Sequence, residues 1–137
     1  MTGAAESALT DVDLLTDPGV YALYSARRTV YYVDAREVDA PRLFRAYGGP
    51  PSDPYSDLDD RWLHLLLVTS WPSGRDERGV PYVREEQVNW DDYVDWRLRV
   101  GRVHRLRFLP RRSAQLPLWW TQGLLTGIGL ATEWPEP

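Results

Sequence analysis

From Val20 to Tyr24, and again from Thr29 to Val33, the chain runs through β-branched and aromatic residues, with Ser25 to Arg28 between them at hairpin-loop length. The two runs predict an antiparallel hairpin. The pattern then changes. Ala40, Leu43, Phe44 and Tyr47 follow the i, i+3, i+4, i+7 spacing of a buried helical face, behind Asp39 as cap and Pro41 in the first turn, and Gly48-Gly49-Pro50-Pro51 closes the segment. A helix there leaves Arg42 and Arg45 outside the core.

Trp62 to Thr69 is a dense apolar run that predicts a buried strand, although Ser56 with Asp59 could instead cap a helix reaching Leu67. Asn89 to Gly101 reads as a helix, with Asn89 as cap, Asp91 and Asp92 in the first turn, Arg97 and Arg99 in the last, and Gly101 just beyond. Val103 to Leu109 alternates as a half-exposed strand, His104, Leu106 and Phe108 against Arg105 and Arg107. From about Ala114 to Ile128 a stripe of Leu116, Trp120, Leu124 and Ile128 predicts a last helix, on which Trp119 and Trp120 cannot both face inward. The Pro- and Gly-rich stretches 48–60 and 71–80 read as surface loops. The order hairpin, helix, strand, helix, strand, helix predicts an α+β fold, a small mainly antiparallel sheet flanked by helices. Residues 18–132 form its single globular domain, with 1–17 as a flexible N-terminal segment and 133–137 as a C-terminal tail.

Composition narrows the chemistry. At 137 residues, with 43% hydrophobic and 26% charged, the chain fits one ordinary domain with one core. Cysteine is absent, which excludes disulfides, thiol nucleophiles and cysteine-held metals, and His64 and His104 alone exclude a histidine-rich metal site. His64, set in an apolar run, reads as a core histidine. No apolar run approaches membrane-spanning length and acids stand where a signal peptide needs basic and apolar residues, so a cytoplasmic location is expected. The net charge of −4 hides an uneven distribution: all 16 basic residues are arginine, and seven fall between Arg97 and Arg112. That strip is either a solvated face or an electrostatic footprint for phosphates.

The ordered set that points to chemistry is Gly19-Val20-Tyr21, Tyr32-Val33-Asp34 and Arg42. Two strands ending in tyrosines and a following cation would set two phenols and a guanidinium on one surface, suited to an anionic substrate. In order and spacing these residues resemble the GIY-YIG nuclease superfamily, whose hairpin bears two such tripeptides and whose next helix bears an arginine. The resemblance implies Tyr21, Tyr32, Arg42 and Gln122 as the catalytic set, with Arg42 clamping the phosphate and Gln122 standing where the family has its metal-binding glutamate. Asp34 stands where the second tripeptide has glycine. An amide is a poorer Mg²⁺ ligand than a carboxylate, so the resemblance implies phosphodiester binding ahead of Mg²⁺-dependent hydrolysis, and no residue is assigned to metal. Asp34, Arg36, Arg45, Arg105 and Arg107 are the expected substrate contacts. The expected partners are nucleic acid or, with the pocket repurposed, a small anionic or electrophilic molecule; a third reading is a non-catalytic protein-binding or immunity-type domain.

Overall fold

The computed structural model describes residues 9–26, 28–46, 58–72, 78, 93–110 and 117–135. Within them the chain is built from strands: β1 (Asp11–Asp13), β2 (Val20–Tyr24), β3 (Val30–Asp34), β4 (Arg42–Ala46), β5 (Trp62–Pro72), β6 (Arg97–Arg99), β7 (Arg102–Leu109), β8 (Leu118–Gln122) and β9 (Gly127–Leu130). Seven of them form one antiparallel sheet in the order β8-β7-β5-β4-β3-β2-β9, and β1 pairs with β6 in a separate ribbon. The expected α+β architecture with flanking helices is therefore corrected to a sheet protein.

Each helix expectation fails for a local reason. Arg42–Ala46 is strand β4, hydrogen-bonded to β3 on one side and β5 on the other. Its two covered faces bury Leu43 and Phe44 alike, which on paper resembles a helical stripe. Only about two helical turns would fit between Pro41 and Gly48, too few to be stable against two strand edges. In the Asn89–Gly101 segment, Arg97, Leu98 and Arg99 form β6, and residues 89–92 lie outside the described region. The stripe from Leu116 to Ile128 has a spacing of four, which is also two strand periods. Leu118–Gln122 and Gly127–Leu130 take the strand solution, while residues 114–116 lie outside the described region. The expected hairpin and the strands at Trp62 and Val103 are present as β2–β3, β5 and β7.

The sheet is strongly coiled. Laid flat, seven strands span roughly 29 Å from first to last at about 4.8 Å per gap. Yet β8 and β9, at its opposite ends, are joined by residues 123–126, which reach at most about 18 Å. Closure is visible inside: Tyr31 of β3 meets Trp120 of β8 edge-on at 6.1 Å, and Trp120 lies 4.3 Å from Phe108. The concave face holds Tyr21, Leu23, Val33, Leu43, Leu65, Val68, Leu106, Phe108 and Ile128, all buried. An irregularity between Leu65 and Leu67 resets the register of β5, so that Val68 again faces inward opposite Leu106.

The β1–β6 ribbon is bridged to the sheet at two points, Leu9 to Ile128 and Val94 to Thr69. Val12, Leu14 and Leu98 carry it into the core, so the segment expected as a flexible lead-in supplies core residues from Val12 onward. Residues 1–8 lie outside the described region. The turn from β6 to β7 places Gly101 at φ 90°, a conformation that costs a side-chain-bearing residue energy even where space is open. Gly101→Ala is expected to destabilise by about 1–2 kcal/mol in urea unfolding, since the Cβ meets nothing and backbone strain is the whole cost. Among the described residues no helix is long and apolar enough to cross a membrane.

Candidate functional site

On the convex face, directly opposed residues of neighbouring strands build two rows. One runs Ala22, Tyr32, Phe44, Trp62 across β2, β3, β4 and β5. The other runs Val20, Asp34, Arg42, His64, Leu109 and ends on β7. The first is an aromatic ladder, with Tyr32 and Phe44 centroids 6.2 Å apart and Phe44 and Trp62 5.2 Å apart. The second carries charge.

Asp34, the last residue of β3, is 5% exposed. Its Oδ1 accepts from Arg36 Nε at 2.9 Å and from the Arg36 backbone N–H at 3.1 Å, while Oδ2 accepts from Arg36 Nη2 at 2.8 Å and Arg42 Nη2 at 2.7 Å. Two guanidiniums thus converge on one buried carboxylate. Burial alone would raise the Asp34 pKa, but the hydrogen bonds from Arg36 and Arg42 outweigh it and hold the carboxyl well below the usual carboxylate range. Asp34 stays ionised and fixes both arginines. The same guanidiniums lie on indoles, Arg42 4.6 Å above Trp62 and Arg36 4.6 Å above Trp134, while their side chains remain 40% and 48% exposed. A groove of about 870 Å³ opens beside them, lined by Asp34, Arg36, Arg42, Trp62, His64 and Leu109, with Glu37, Ala40, Leu63 and Pro110 completing its walls.

The expected constellation is divided by strand alternation. Tyr32, Asp34 and Arg42 share the convex face, with Arg42 on a strand and not on a helix. Tyr21 stands opposite Val33, buried on the concave face, and its hydroxyl donates to the Asp17 carbonyl at 2.8 Å. Gln122 is also concave, 1% exposed, opposite the fully buried His104. Tyr21, Tyr32, Arg42 and Gln122 therefore do not converge on one site. Among the described residues no three His, Asp or Glu side chains come together to hold a metal ion.

Arg45 is not a surface contact either. It points to the concave side, forms an ion pair with Asp59, whose side chain is fully buried, and lies 4.0 Å above Trp120. Of the arginine strip, Arg97 and Arg99 pair with Asp11, Asp13 and Asp95, and Arg102 donates to Ser70. Arg105 and Arg107 remain on the convex face, Arg105 4.1 Å above Trp119, and Arg107 opposite Trp119 in register. Arg111 and Arg112 lie outside the described region.

No family model, curated protein or solved structure matches this chain. The groove residues themselves carry the functional reading.

The apolar run around His64 predicts a core position, but the side chain is exposed and lines the groove opposite Arg42. Alternation along Trp62-Leu63-His64-Leu65 was the signal, obscured by Leu66 and Leu67 at the register irregularity. No motif in the sequence marks Trp62 or Trp134 as a site residue. Nothing local marks Trp134, because its partner Arg36 is remote in sequence.

Proposed function

We propose that this domain is a binding module whose convex groove takes an anionic ligand with an apolar or aromatic body. The observation that carries the reading is the pair of half-exposed guanidiniums, Arg36 and Arg42, fixed by one buried carboxylate and backed by indole faces. Fixing costs the ligand less ordering entropy on binding, and planar guanidiniums favour carboxylate or phosphate oxygens. Asp34 is engaged in holding the arginines, so its role is positioning. Glu37 on the groove wall repels an anion from that side and leaves the Arg42–His64 side for it.

Titration with a small aromatic carboxylate, followed by tryptophan fluorescence, tests this. Arg42→Ala is expected to weaken binding about 10- to 100-fold, the range for a lost charge-assisted hydrogen bond. Binding unchanged by Arg42→Ala, with the variant still folded by circular dichroism, would remove the reading.

A second reading, binding of single-stranded nucleic acid, has one specific observation in its favour. Trp119 is 48% exposed, stacked with Arg105 and opposite Arg107, the aromatic and cationic pairing on which bases stack and phosphates are held. Salt-sensitive binding of labelled single-stranded DNA that is lost in Trp119→Ala supports it; salt-independent or absent binding excludes it.

A further inference from the structure

Two residues that line the groove, Arg36 and Trp62, are already in contact with a segment of the chain itself. After β9 the backbone turns over the convex face, and two contacts anchor residues 134 and 135. The Trp62 indole N–H donates to the Pro135 carbonyl at 3.0 Å, and the Trp134 ring lies under the Arg36 guanidinium at 4.6 Å. The segment holding these contacts reads Glu133-Trp134-Pro135. A proline-containing chain whose carbonyl accepts from a surface tryptophan, with the preceding indole against a guanidinium, is held in the way grooves hold proline-rich ligands. A proline segment is already extended and loses little entropy on docking.

Resting on the anion-groove reading above, we propose that the convex face is a peptide-binding surface whose partner is an extended, acidic, proline-containing peptide with an aromatic residue beside the proline, and that Trp134-Pro135 is a tethered stand-in for it. Three features fit that partner. Trp62 supplies the donor to a peptide carbonyl and stands at the end of the Tyr32-Phe44-Trp62 ladder. Arg36 and Arg42 supply cations for acidic side chains. The groove continues past Trp62 to His64 and Leu109, leaving room for a longer peptide than the two anchored residues. The tethered copy competes at an effective concentration of about a millimolar, so a peptide supplied in trans binds the intact chain weakly and gains affinity when the tethered contact is removed.

The probe is a labelled synthetic peptide with the sequence of residues 131–137, titrated by fluorescence anisotropy into the full chain, with the small aromatic carboxylate titrated in parallel. The expected result is saturable binding that tightens at least about threefold in Trp134→Ala and, in that released background, weakens about two- to tenfold on adding Trp62→Phe, which keeps a ring but lacks the indole donor. A peptide with both glutamates replaced by glutamine should bind less tightly than the acidic one. Circular dichroism confirms that both variants are folded. If the aromatic carboxylate binds but the peptide binds neither the intact chain nor Trp134→Ala, the peptide proposal is overturned and the anion groove stands. If neither binds, both fall. Peptide binding to Trp134→Ala that is unchanged on adding Trp62→Phe overturns the proposal as well, because the peptide then sits elsewhere.

Discussion

Asp59→Ala is expected to destabilise the domain by about 3 kcal/mol, the lower part of the range for removing one partner of a buried ion pair. Asp59 has no exposed side-chain surface and Arg45 has 19%. Burial by itself would lower the Arg45 pKa, but hydrogen bonds with Asp59 and Tyr31 outweigh it and raise it, so the guanidinium keeps its charge inside the coiled sheet. Without Asp59 that charge retains the Tyr31 hydroxyl and the Trp120 face, which is why the lower part of the range is expected. The companion is Arg45→Met with Asp59→Leu. Replacing both partners by apolar residues leaves no buried charge and should recover most of the loss, measured by urea unfolding at pH 7. A single Asp59→Ala cost below about 1 kcal/mol would mean that the pair is solvated in solution and does not brace the mouth of the sheet.

Lowering the pH from neutral is expected to remove stability in two stages, the first set by His104. That side chain is fully buried, and its Nε2 accepts the Arg99 backbone N–H at 3.1 Å, a bond that requires the neutral ring. Burial, aided by the nearby Arg102 charge, pushes its pKa from 6.5 to about 4. Between those values the unfolded chain takes up a proton that the folded chain does not, so stability is intact above about 6.5 and falls as pH drops towards 4. The full loss is on the order of 3 kcal/mol. Asp34 sets the second stage. Its folded pKa is depressed, so its contribution is present above the unfolded carboxylate value of about 3.9 and is lost only at lower pH. Urea midpoints from pH 7 to 3 follow the first stage, and their extension to pH 2 follows the onset of the second. In His104→Gln, which keeps a side-chain acceptor but does not titrate, the slope between pH 6.5 and 4 should flatten; an unchanged slope would assign that stage to other groups.

The two sites show why function here depends on faces. Asp34 and Asp59 are both buried acids holding arginines, yet Asp59 closes the interior against Trp120 whereas Asp34 leaves two guanidiniums at a groove. The difference is one of strand parity: Arg42 and Arg45 are three residues apart on β4, so they project to opposite sides of the sheet. On the helix that the spacing suggested, three residues apart would have placed them together.

By itself the sequence determined the β2–β3 hairpin, the strand character of β5 and the in-and-out alternation of His104 to Phe108, because β-branched and aromatic runs bounded by turn residues carry that information locally. It also determined that no thiol chemistry exists, and it grouped Asp34 with Arg42, which the structure joins in an ion pair. Whether Arg42–Ala46 and Leu118–Ile128 became helices or strands was decided by tertiary structure. The spacing of the second segment satisfies both periods and the first buries both of its faces, so the choice fell to the neighbouring strand edges, whose N–H and C=O groups needed partners. The same coiling buried Tyr21 and Gln122, turned His64 outward, and brought Trp134 and Pro135 back onto Arg36 and Trp62 across about a hundred and about seventy residues of chain respectively, separations at which no local pattern records a contact.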